Sequence, residues 1–226
     1  MISLFIDTST EHGVIGIFRN GLLIKGRELP FGFSHSKELF PAIVELTSSC
    51  GLSPKNFDYI AVGAGPGSYT GIRVSASIAK ALSCSLDIPL IGVSSLHGFV
   101  AEDVERGSFI GIVDARIGGF YTIVGEIIKN EVKVIEEEKL SSLAEIKERI
   151  SSFSYIVTPT KELIIKRLSI DVSLTVIEQS PSLKQLGSRA YFAYMQGEGS
   201  KDGKVSLLYL RKTQAEIEKE KISIVL

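Results

Sequence analysis

The stretch SLFIDTSTEHGVIGIF (residues 3–18) contains an apolar strand that ends at Asp7, a short polar turn and the start of a second apolar strand. The same arrangement recurs in FIGIVDARIGGFYTIV (109–124), where Asp114 takes the place of Asp7. One repeat of this length indicates two related lobes rather than a solenoid. The predicted lobes are an N-terminal lobe, residues 1–105, and a C-terminal lobe, residues 106–226.

The segments around this repeat follow an α/β pattern. Residues 13–18 and 21–27 flank Asn20-Gly21, a strong hairpin signal, so the chain is predicted to open with a three-stranded antiparallel meander. The rest of the first half is predicted to contain helices at 36–50 and 72–86 and strands at 58–63 and 89–93. The second half is predicted to continue with strands at 131–136, 154–157 and 173–177 and helices at 142–150, 161–167 and 181–196. This order indicates a layered α/β architecture.

The composition is that of an ordinary globular protein, with 44% hydrophobic and 23% charged residues among 226. The formal net charge is -1 and no block of Lys and Arg stands out, so the chain alone is not expected to grip nucleic acid. Two cysteines, Cys50 and Cys84, imply no disulfide framework and favour a reduced cytoplasm. The first apolar run stops at Asp7, and neither a signal sequence nor a membrane-spanning helix is expected.

The glycine-rich segment GAGPGSYTG (63–71) joins a predicted strand to a predicted helix. Backbone N–H groups at a helix N-terminus favour anions. The segment is not a dinucleotide fingerprint, because Ser68 takes the position of the third glycine, and it is not a P-loop, because no Lys-Ser or Lys-Thr follows. The alternative is a sharp strand-to-helix turn that requires several positive φ angles.

The turn Asp7-Thr8-Ser9-Thr10 follows the first strand in the way that a phosphate hairpin begins in actin-like ATPases. Such hairpins carry glycine where the backbone approaches phosphate, whereas Ser9 and Thr10 occupy those places here. Asp7, Thr8, Ser9 and Asp114 are therefore the candidate phosphate-binding residues of a degenerate site. An Asx-turn that ends the strand is the alternative.

The histidines are few and offer little catalytic or metal chemistry. Metal sites on helices often use two His at i and i+4, but the residues at those distances from His35 are Phe31 and Leu39, so no metal site is expected. The sequence lacks the G-x-S-x-G nucleophile elbow that a hydrolytic triad often uses, and nothing in it places the possible triad residues in contact. The members of such a triad would come from Ser36, Ser68, His35, His97, Asp7 and Asp114.

The two helices of the first half carry more apolar and small residues than one buried face requires. Leu39, Phe40, Ile43, Val44 and Leu46 extend around more than one stripe of helix 36–50. Helix 72–86 is rich in small residues that let another helix approach closely. We therefore predict a partner surface with Leu39 or Phe40 as its hot spot, the alternative being packing against the protein's own sheet. The predicted interface residues are His35, Leu39, Phe40, Ile43, Arg73, Ser75, Ala76 and Ala79.

The run AVGAGPGSYTGIRVSASIAKAL (61–82) resembles the signature of the TsaB family, GPGSFTGxR followed by a helix of small residues. Other segments match the family in the right order, densely to residue 121 and thinly afterward. They are FIDTST (5–10), HSKELFP (35–41), IGVSSL (91–96), DAR (114–116) with Tyr121, and LLYLR (207–211), which has Leu at the family's usual proline.

The resemblance implies a duplicated actin-like, RNase H-like fold with two lobes, each a mixed sheet flanked by helices. It implies a non-catalytic, cytoplasmic subunit that binds and activates a TsaD-like transferase in threonylcarbamoyladenosine modification of tRNA, together with a TsaE-like ATPase. The dimer face of the family maps to helices 36–50 and 72–86, and a homodimer is expected when the chain is alone. The tRNA would be contacted only through the complex.

TsaD carries a metal-binding pair of histidines on its first helix, whereas this chain has only His35, with Phe31 at the other position. The resemblance therefore implies a degenerate paralogue without a cofactor of its own, although a nucleotide could lie at the partner interface. The alternatives are an actin-like small-molecule kinase or ATPase, which needs a functional phosphate hairpin, and a peptidase, which needs a nucleophile and base in contact.

Overall fold

The computed structural model describes residues 1–32, 35–102, 104–129, 131–170 and 174–210. The first half contains β1 (Ile2–Asp7), β2 (Val14–Arg19), β3 (Leu22–Glu28), α1 (His35–Ser49), β4 (Tyr59–Gly63), α2 (Tyr69–Leu86) and β5 (Leu90–Val93). The second half contains β6 (Arg106–Asp114), β7 (Phe120–Ile128), β8 (Glu131–Ser141), α3 (Leu143–Arg149), β9 (Tyr155–Thr158), α4 (Lys161–Leu168), β10 (Thr175–Glu178) and α5 (Leu183–Met195).

The ten strands form two sheets of the same topology. Their orders are β3-β2-β1-β4-β5 and β10-β9-β6-β7-β8. In each sheet the first strand in sequence is antiparallel to the second and parallel to the fourth. Asp7 and Asp114 are the last residues of the corresponding strands β1 and β6. The repeat predicted from residues 3–18 and 109–124 is thus confirmed as a structural duplication.

The opening meander is also confirmed, since β1, β2 and β3 are antiparallel neighbours. Asn20 and Gly21 have φ values of 52° and 77°. Two consecutive positive φ angles are what a type I′ hairpin turn requires, and Asn-Gly is the pair that adopts them most readily.

Helices cover both faces of the first sheet. Leu4 and Ile6 of β1 pack in one core cluster with residues of α1 and α2, while Phe5 packs in another with Leu186 and Ala190 of α5. Alternate residues of a strand point to opposite faces, so a strand buried on both sides is apolar throughout. Helix α5 follows the second sheet in sequence but packs on the first, so the chain crosses back before it ends.

Among the described residues, the α-helices that pack on the second sheet cover one of its faces. Ile110 and Ile112 of β6 pack with Ile146 of α3 and Ile164 of α4. The opposite face packs against Leu96 and the residues after it, a segment that links the two sheets. The connection between the sheets therefore forms part of the core of the second one.

Helix α2 begins at Tyr69, three residues earlier than the prediction of 72, because Ser68 caps it by accepting a hydrogen bond from the Gly71 N–H at 3.3 Å. No described helix, this 18-residue one included, is long and apolar enough to cross a membrane.

Candidate functional site

A cavity of about 310 Å³ lies where the corresponding ends of the two sheets meet. Its walls come from the loop after β1 (9–11), the start of α2 (67–70), the loop after β6 (113–116), and residues Tyr121, Pro159, Thr160, Leu163, Leu208 and Tyr209. Of the four candidate phosphate-binding residues, Ser9 and Asp114 line this cavity. Asp7 and Thr8 are not part of its lining.

Asp7 and Thr8 are buried beneath the glycine-rich segment. The Thr8 hydroxyl donates to the carbonyl of Gly71 at 2.6 Å, and the Ser68 N–H donates to the carbonyl of Ser9 at 2.6 Å. The Asp7 carboxylate accepts the Ser9 N–H at 2.8 Å, which closes an Asx-turn. Asp7 and Thr8 are 1% and 0% exposed. The loop therefore bonds to the protein's own backbone where a phosphate hairpin would present groups to a ligand.

Close packing against residues 7–9 explains why glycine occurs at three positions of the segment 63–71. A Cβ built at Gly63 would lie 2.1 Å from the Asp7 Cγ, and one at Gly71 would lie 1.9 Å from the Thr8 carbonyl oxygen. A Cβ at Gly67 would likewise lie 2.3 Å from the carbonyl oxygen of Ser9. Among the four glycines of the segment, only Gly65 has a positive φ, of 92°. The expectation that several positive φ angles require these glycines is therefore wrong, because three of them instead make room for the β1 loop.

Asp114, the residue of the second sheet that corresponds to Asp7, also bonds to other residues of the protein. The Asp114 carboxylate accepts the Arg116 N–H at 2.9 Å and forms an ion pair with Arg167. The Arg167 guanidinium carbon lies 4.4 Å from the ring centroid of Phe120, which fixes its position. Glu11 adds a second carboxylate to the cavity wall, and the described lining contains one arginine, Arg116, and no lysine. Such a wall is poorly suited to a polyphosphate.

The described residues do not assemble a hydrolytic triad. Burial and the neighbouring Arg189 lower the pKa of His97 to about 4, and its Nδ1 lies 3.2 Å from the Arg189 guanidinium rather than near a serine. His12 contacts Ser180 at 3.2 Å, but the Ser180 hydroxyl donates to Glu28 at 2.9 Å. The Ser180 hydroxyl lies between the imidazole of His12 and the carboxylate of Glu28. Its hydrogen is donated to the carboxylate, so the imidazole is not placed to remove it as a base. The side chain of His35 lies outside the described residues.

Four of the predicted interface residues belong to the core instead. Leu39 and Ile43 are 0% and 5% exposed, and both pack on the first sheet from α1. Ser75 and Ala79 are each 0% exposed on the inner face of α2. The prediction that these four form a partner surface is wrong, because the spacing of four residues within each pair places both members on the helix face that covers the sheet.

The outer side of the same helices carries three of the four remaining predicted residues, Phe40, Arg73 and Ala76, while the side chain of His35 is not among those described. Phe40 is 53% exposed and Val44, four residues later on α1, is 50% exposed. Arg73 is exposed on α2, and Ala76, although 7% exposed, borders a shallow groove between α2 and residues 203–207. An i, i+4 apolar pair open to solvent on a helix is a candidate contact for another protein.

A cluster of Tyr69, Arg73 and Tyr209 joins α2 to the LLYLR segment. The Arg73 Nε donates to the Tyr209 hydroxyl at 3.1 Å, and its guanidinium carbon lies 4.0 Å from the ring centroid of Tyr69. The two rings are 5.2 Å apart. Sequence reasoning missed the two tyrosines, although each lies within a motif, GPGSYTGIR and LLYLR, and the contact spans 136 positions.

The family model described as "TsaD: tRNA N6-adenosine threonylcarbamoyltransferase" matches residues 33–188. A relative from Buchnera aphidicola subsp. Schizaphis graminum, named tRNA threonylcarbamoyladenosine biosynthesis protein TsaB, is 31% identical over 148 residues, 64% of this chain and 69% of the relative. The chain belongs to the TsaB family, within the wider family that the TsaD model describes. The Bacillus subtilis TsaB is 38% identical over 123 residues, so the match spans 54% of each protein, about half the length of that relative.

A solved structure of YeaZ from Pseudomonas aeruginosa superposes with a TM-score of 0.75 and covers 92% of this chain and 99% of that one, at 22% identity. A second Pseudomonas aeruginosa structure, of a protein described as similar to peptidase YeaZ, has a TM-score of 0.76 at 23% identity. At these identities the likeness shows the fold alone. With the two corresponding sheets, it confirms the duplicated actin-like fold predicted for a TsaB-family chain.

We expect Gly71→Ala to lower the free energy of unfolding by about 2 kcal/mol or more, because the new methyl group would overlap the Thr8 backbone. Urea denaturation measures the change. Thr70→Ala, at an exposed position of the same helical turn, is the matched control and should change stability little. Equal stability of the two variants would contradict the close packing described above.

We expect Ala79→Glu to unfold the chain, because Ala79 is fully buried and an unpaired carboxylate there costs about 4 kcal/mol. Ser77→Glu, on the exposed side of α2, should remain folded. Circular dichroism distinguishes the two. A folded Ala79→Glu variant would mean that this position faces outward after all.

Proposed function

We propose that this chain is a non-catalytic subunit that binds and activates a TsaD-like transferase in the threonylcarbamoyladenosine modification of tRNA. The observation that carries the proposal is the burial of the β1 loop. Thr8 bonds to the chain's own glycine-rich segment, Asp7 accepts the Ser9 N–H of its own loop, and both residues are buried away from a phosphate. Membership of the TsaB family supports the assignment to this modification.

The second lobe supports the same conclusion. Asp114 is bound by Arg167 and by the Arg116 N–H, so a nucleotide or metal ion would have to displace an ion pair. Glu11 on the opposite wall would repel phosphate. A small-molecule kinase or ATPase, the alternative from another functional class, requires both loops to present groups to phosphate.

The surface that would meet the partner is the outer face of α1 and α2. Phe40 and Val44 are half exposed on α1, and Tyr69 and Arg73 of α2 form a cluster with Tyr209. Aromatic residues and arginine are the side chains most often responsible for binding energy at protein interfaces. The match of the TsaD family model over residues 33–188 indicates a shared ancestry of the two subunits, so a pseudo-symmetric pairing through equivalent helices is a natural arrangement.

The same face serves a homodimer when the chain is alone and is exchanged for the transferase when that subunit is present. The assembly also includes a TsaE-like ATPase, and the tRNA is contacted by the complex rather than by this chain, whose net charge is -1. We assign no nucleotide to the chain's own cleft. The proposal allows a nucleotide to bind at the interface with the transferase. It also places the chain in the cytoplasm.

We expect Phe40→Glu to weaken binding to a TsaD-like subunit by about 100-fold or more, because the interface would bury an unpaired carboxylate. Phe192→Glu is the matched control, since Phe192 is 60% exposed on α5, on the other face of the first sheet. Surface plasmon resonance measures both affinities. Circular dichroism should show both variants folded, and light scattering should show that only Phe40→Glu disrupts the homodimer.

Unchanged affinity of Phe40→Glu would show that the partner binds elsewhere, and equal losses in both variants would show that the effect is not specific to this face. Failure of the unmodified chain to bind any TsaD-like subunit would contradict the proposed function itself.

We expect calorimetry of the isolated chain with ATP and Mg²⁺ to show no saturable binding up to about 1 mM. The physical reason is the buried β1 loop together with the engaged Asp114 carboxylate. A dissociation constant in the micromolar range would favour the kinase or ATPase alternative.

A further inference from the structure

Three side chains that can ligate a metal ion meet beside the link between the two sheets. The ligand atoms of His97, Glu137 and Glu138 all lie within 4.8 Å of one another, and the His97 Nε2 is 3.7 Å from the Glu137 carboxylate. His97 belongs to the short 3-10 helix Ser95–Gly98 in the link between the two sheets. The two glutamates lie on β8, at the edge of the second sheet. The site is separate from the cavity lined by Asp114 and from the outer face of α1.

An irregularity in β8 accounts for the convergence of two consecutive glutamates. Thr122 of β7 pairs with Lys139, and Val124 pairs with Glu136, so Glu137 and Glu138 together face one residue of β7. Consecutive residues of a regular strand point to opposite faces of the sheet. A β-bulge breaks that alternation and re-aims side chains. Both carboxylates can therefore approach the same imidazole.

The position of the imidazole is fixed by its surroundings. His97 is 9% exposed, and its Nδ1 lies 3.2 Å from the Arg189 guanidinium. Arginine can only donate, so Nδ1 accepts this hydrogen bond and Nε2 carries the imidazole hydrogen on the side of the glutamates. The Glu137 side chain is 71% exposed, which leaves it free to move by the small distance that coordination requires and leaves room for water ligands.

We propose that His97, Glu137 and Glu138 form a site for a divalent cation of the zinc class, with water completing the coordination. One imidazole nitrogen and two carboxylate oxygens are a donor set that Zn²⁺ accepts, and the nitrogen disfavours Mg²⁺ and Ca²⁺. Ligand atoms around a tetrahedral zinc lie about 3.3 Å apart, as bond lengths near 2 Å require. The observed 3.7 Å between His97 and Glu137 is close to that spacing.

Binding involves a proton shift and the movement of one side chain. The cation takes the Nε2 lone pair, so the imidazole hydrogen moves from Nε2 to Nδ1. Arg189 must then turn away, because two donors would otherwise face each other, and its exposed position on α5 permits this. The bound ion would tie the link between the sheets to the edge strand β8, and a ligand that binds the folded state stabilises it by mass action.

The test is calorimetric titration of Zn²⁺ into the full chain after treatment with a chelator, with Mg²⁺ as the control ion. We expect one Zn²⁺ per chain with a low micromolar or tighter dissociation constant, a rise in Tm on binding, and no response to Mg²⁺. The double variant Glu137→Gln/Glu138→Gln should lose about 100-fold in affinity. Glu126→Gln/Glu131→Gln, which removes the same charge from exposed positions of β7 and β8, should bind as the unmodified chain does.

Replacement of Arg189 provides an independent test of the proposed site. Arg189→Gln should tighten Zn²⁺ binding by about 10-fold, because an amide oxygen can accept the Nδ1–H and a positive charge is removed. Weaker binding in this variant would overturn the proposed proton shift and with it the site. Absence of binding by the unmodified chain would overturn the proposal, as would full affinity in Glu137→Gln/Glu138→Gln, which would place the ion on other residues.

Discussion

The end of β1 and the loop that follows it pack directly on the backbone of the segment that leads into α2, and this contact is possible only because glycine occupies residues 63, 67 and 71. Each of these positions would bring a Cβ within 2.3 Å of Asp7, Thr8 or Ser9. The Thr8 hydroxyl and the Ser68 N–H complete the contact with hydrogen bonds of 2.6 Å. Because the contact sets the start of α2, it also determines how α2 and its neighbour α1 lie on the first sheet.

The chain keeps the duplicated sheets of the fold, but the aspartates at the two equivalent strand ends bond to other groups of the protein. The duplicated sheets place Asp7 and Asp114 at equivalent strand ends, where an actin-like enzyme would hold phosphate. In this chain Asp7 closes an Asx-turn beneath the glycine-rich segment, and Asp114 is paired with Arg167. The exposed groups include the apolar pair on α1 and the cluster that Tyr69 and Arg73 of α2 form with Tyr209, and these are suited to a protein partner. Aspartates that bond within the protein and an exposed apolar surface are the features expected of the proposed subunit that acts through another.

Sequence periodicity was sufficient for the repeated strands, the Asn20-Gly21 hairpin and the bounds of α1 to within one residue, because these depend on local pattern, whereas the first residues of α2 were missed. It could not decide which apolar residues of α1 face inward, since Leu39 and Phe40 are adjacent and equally hydrophobic. The sequence also could not show why glycine is required in the segment 63–71. The reason is the close approach of a loop that is distant in sequence, as between Asp7 and Gly63, which are 56 positions apart, and such a contact leaves no local pattern. The meeting of His97 with Glu137 and Glu138 depends on a bulge in β8 within the run IEEEKL, and nothing in that run marks the bulge.

The most direct test of the central claim is threonylcarbamoyl transfer to tRNA, measured with this chain alone, with a TsaD-like subunit alone and with both, in the presence of a TsaE-like ATPase and the activated threonylcarbamoyl donor. We expect no transfer by the chain alone, little by the transferase alone and a large increase with both. Transfer by the chain in the absence of a TsaD-like subunit would contradict a non-catalytic role, and equal transfer with and without the chain would contradict activation.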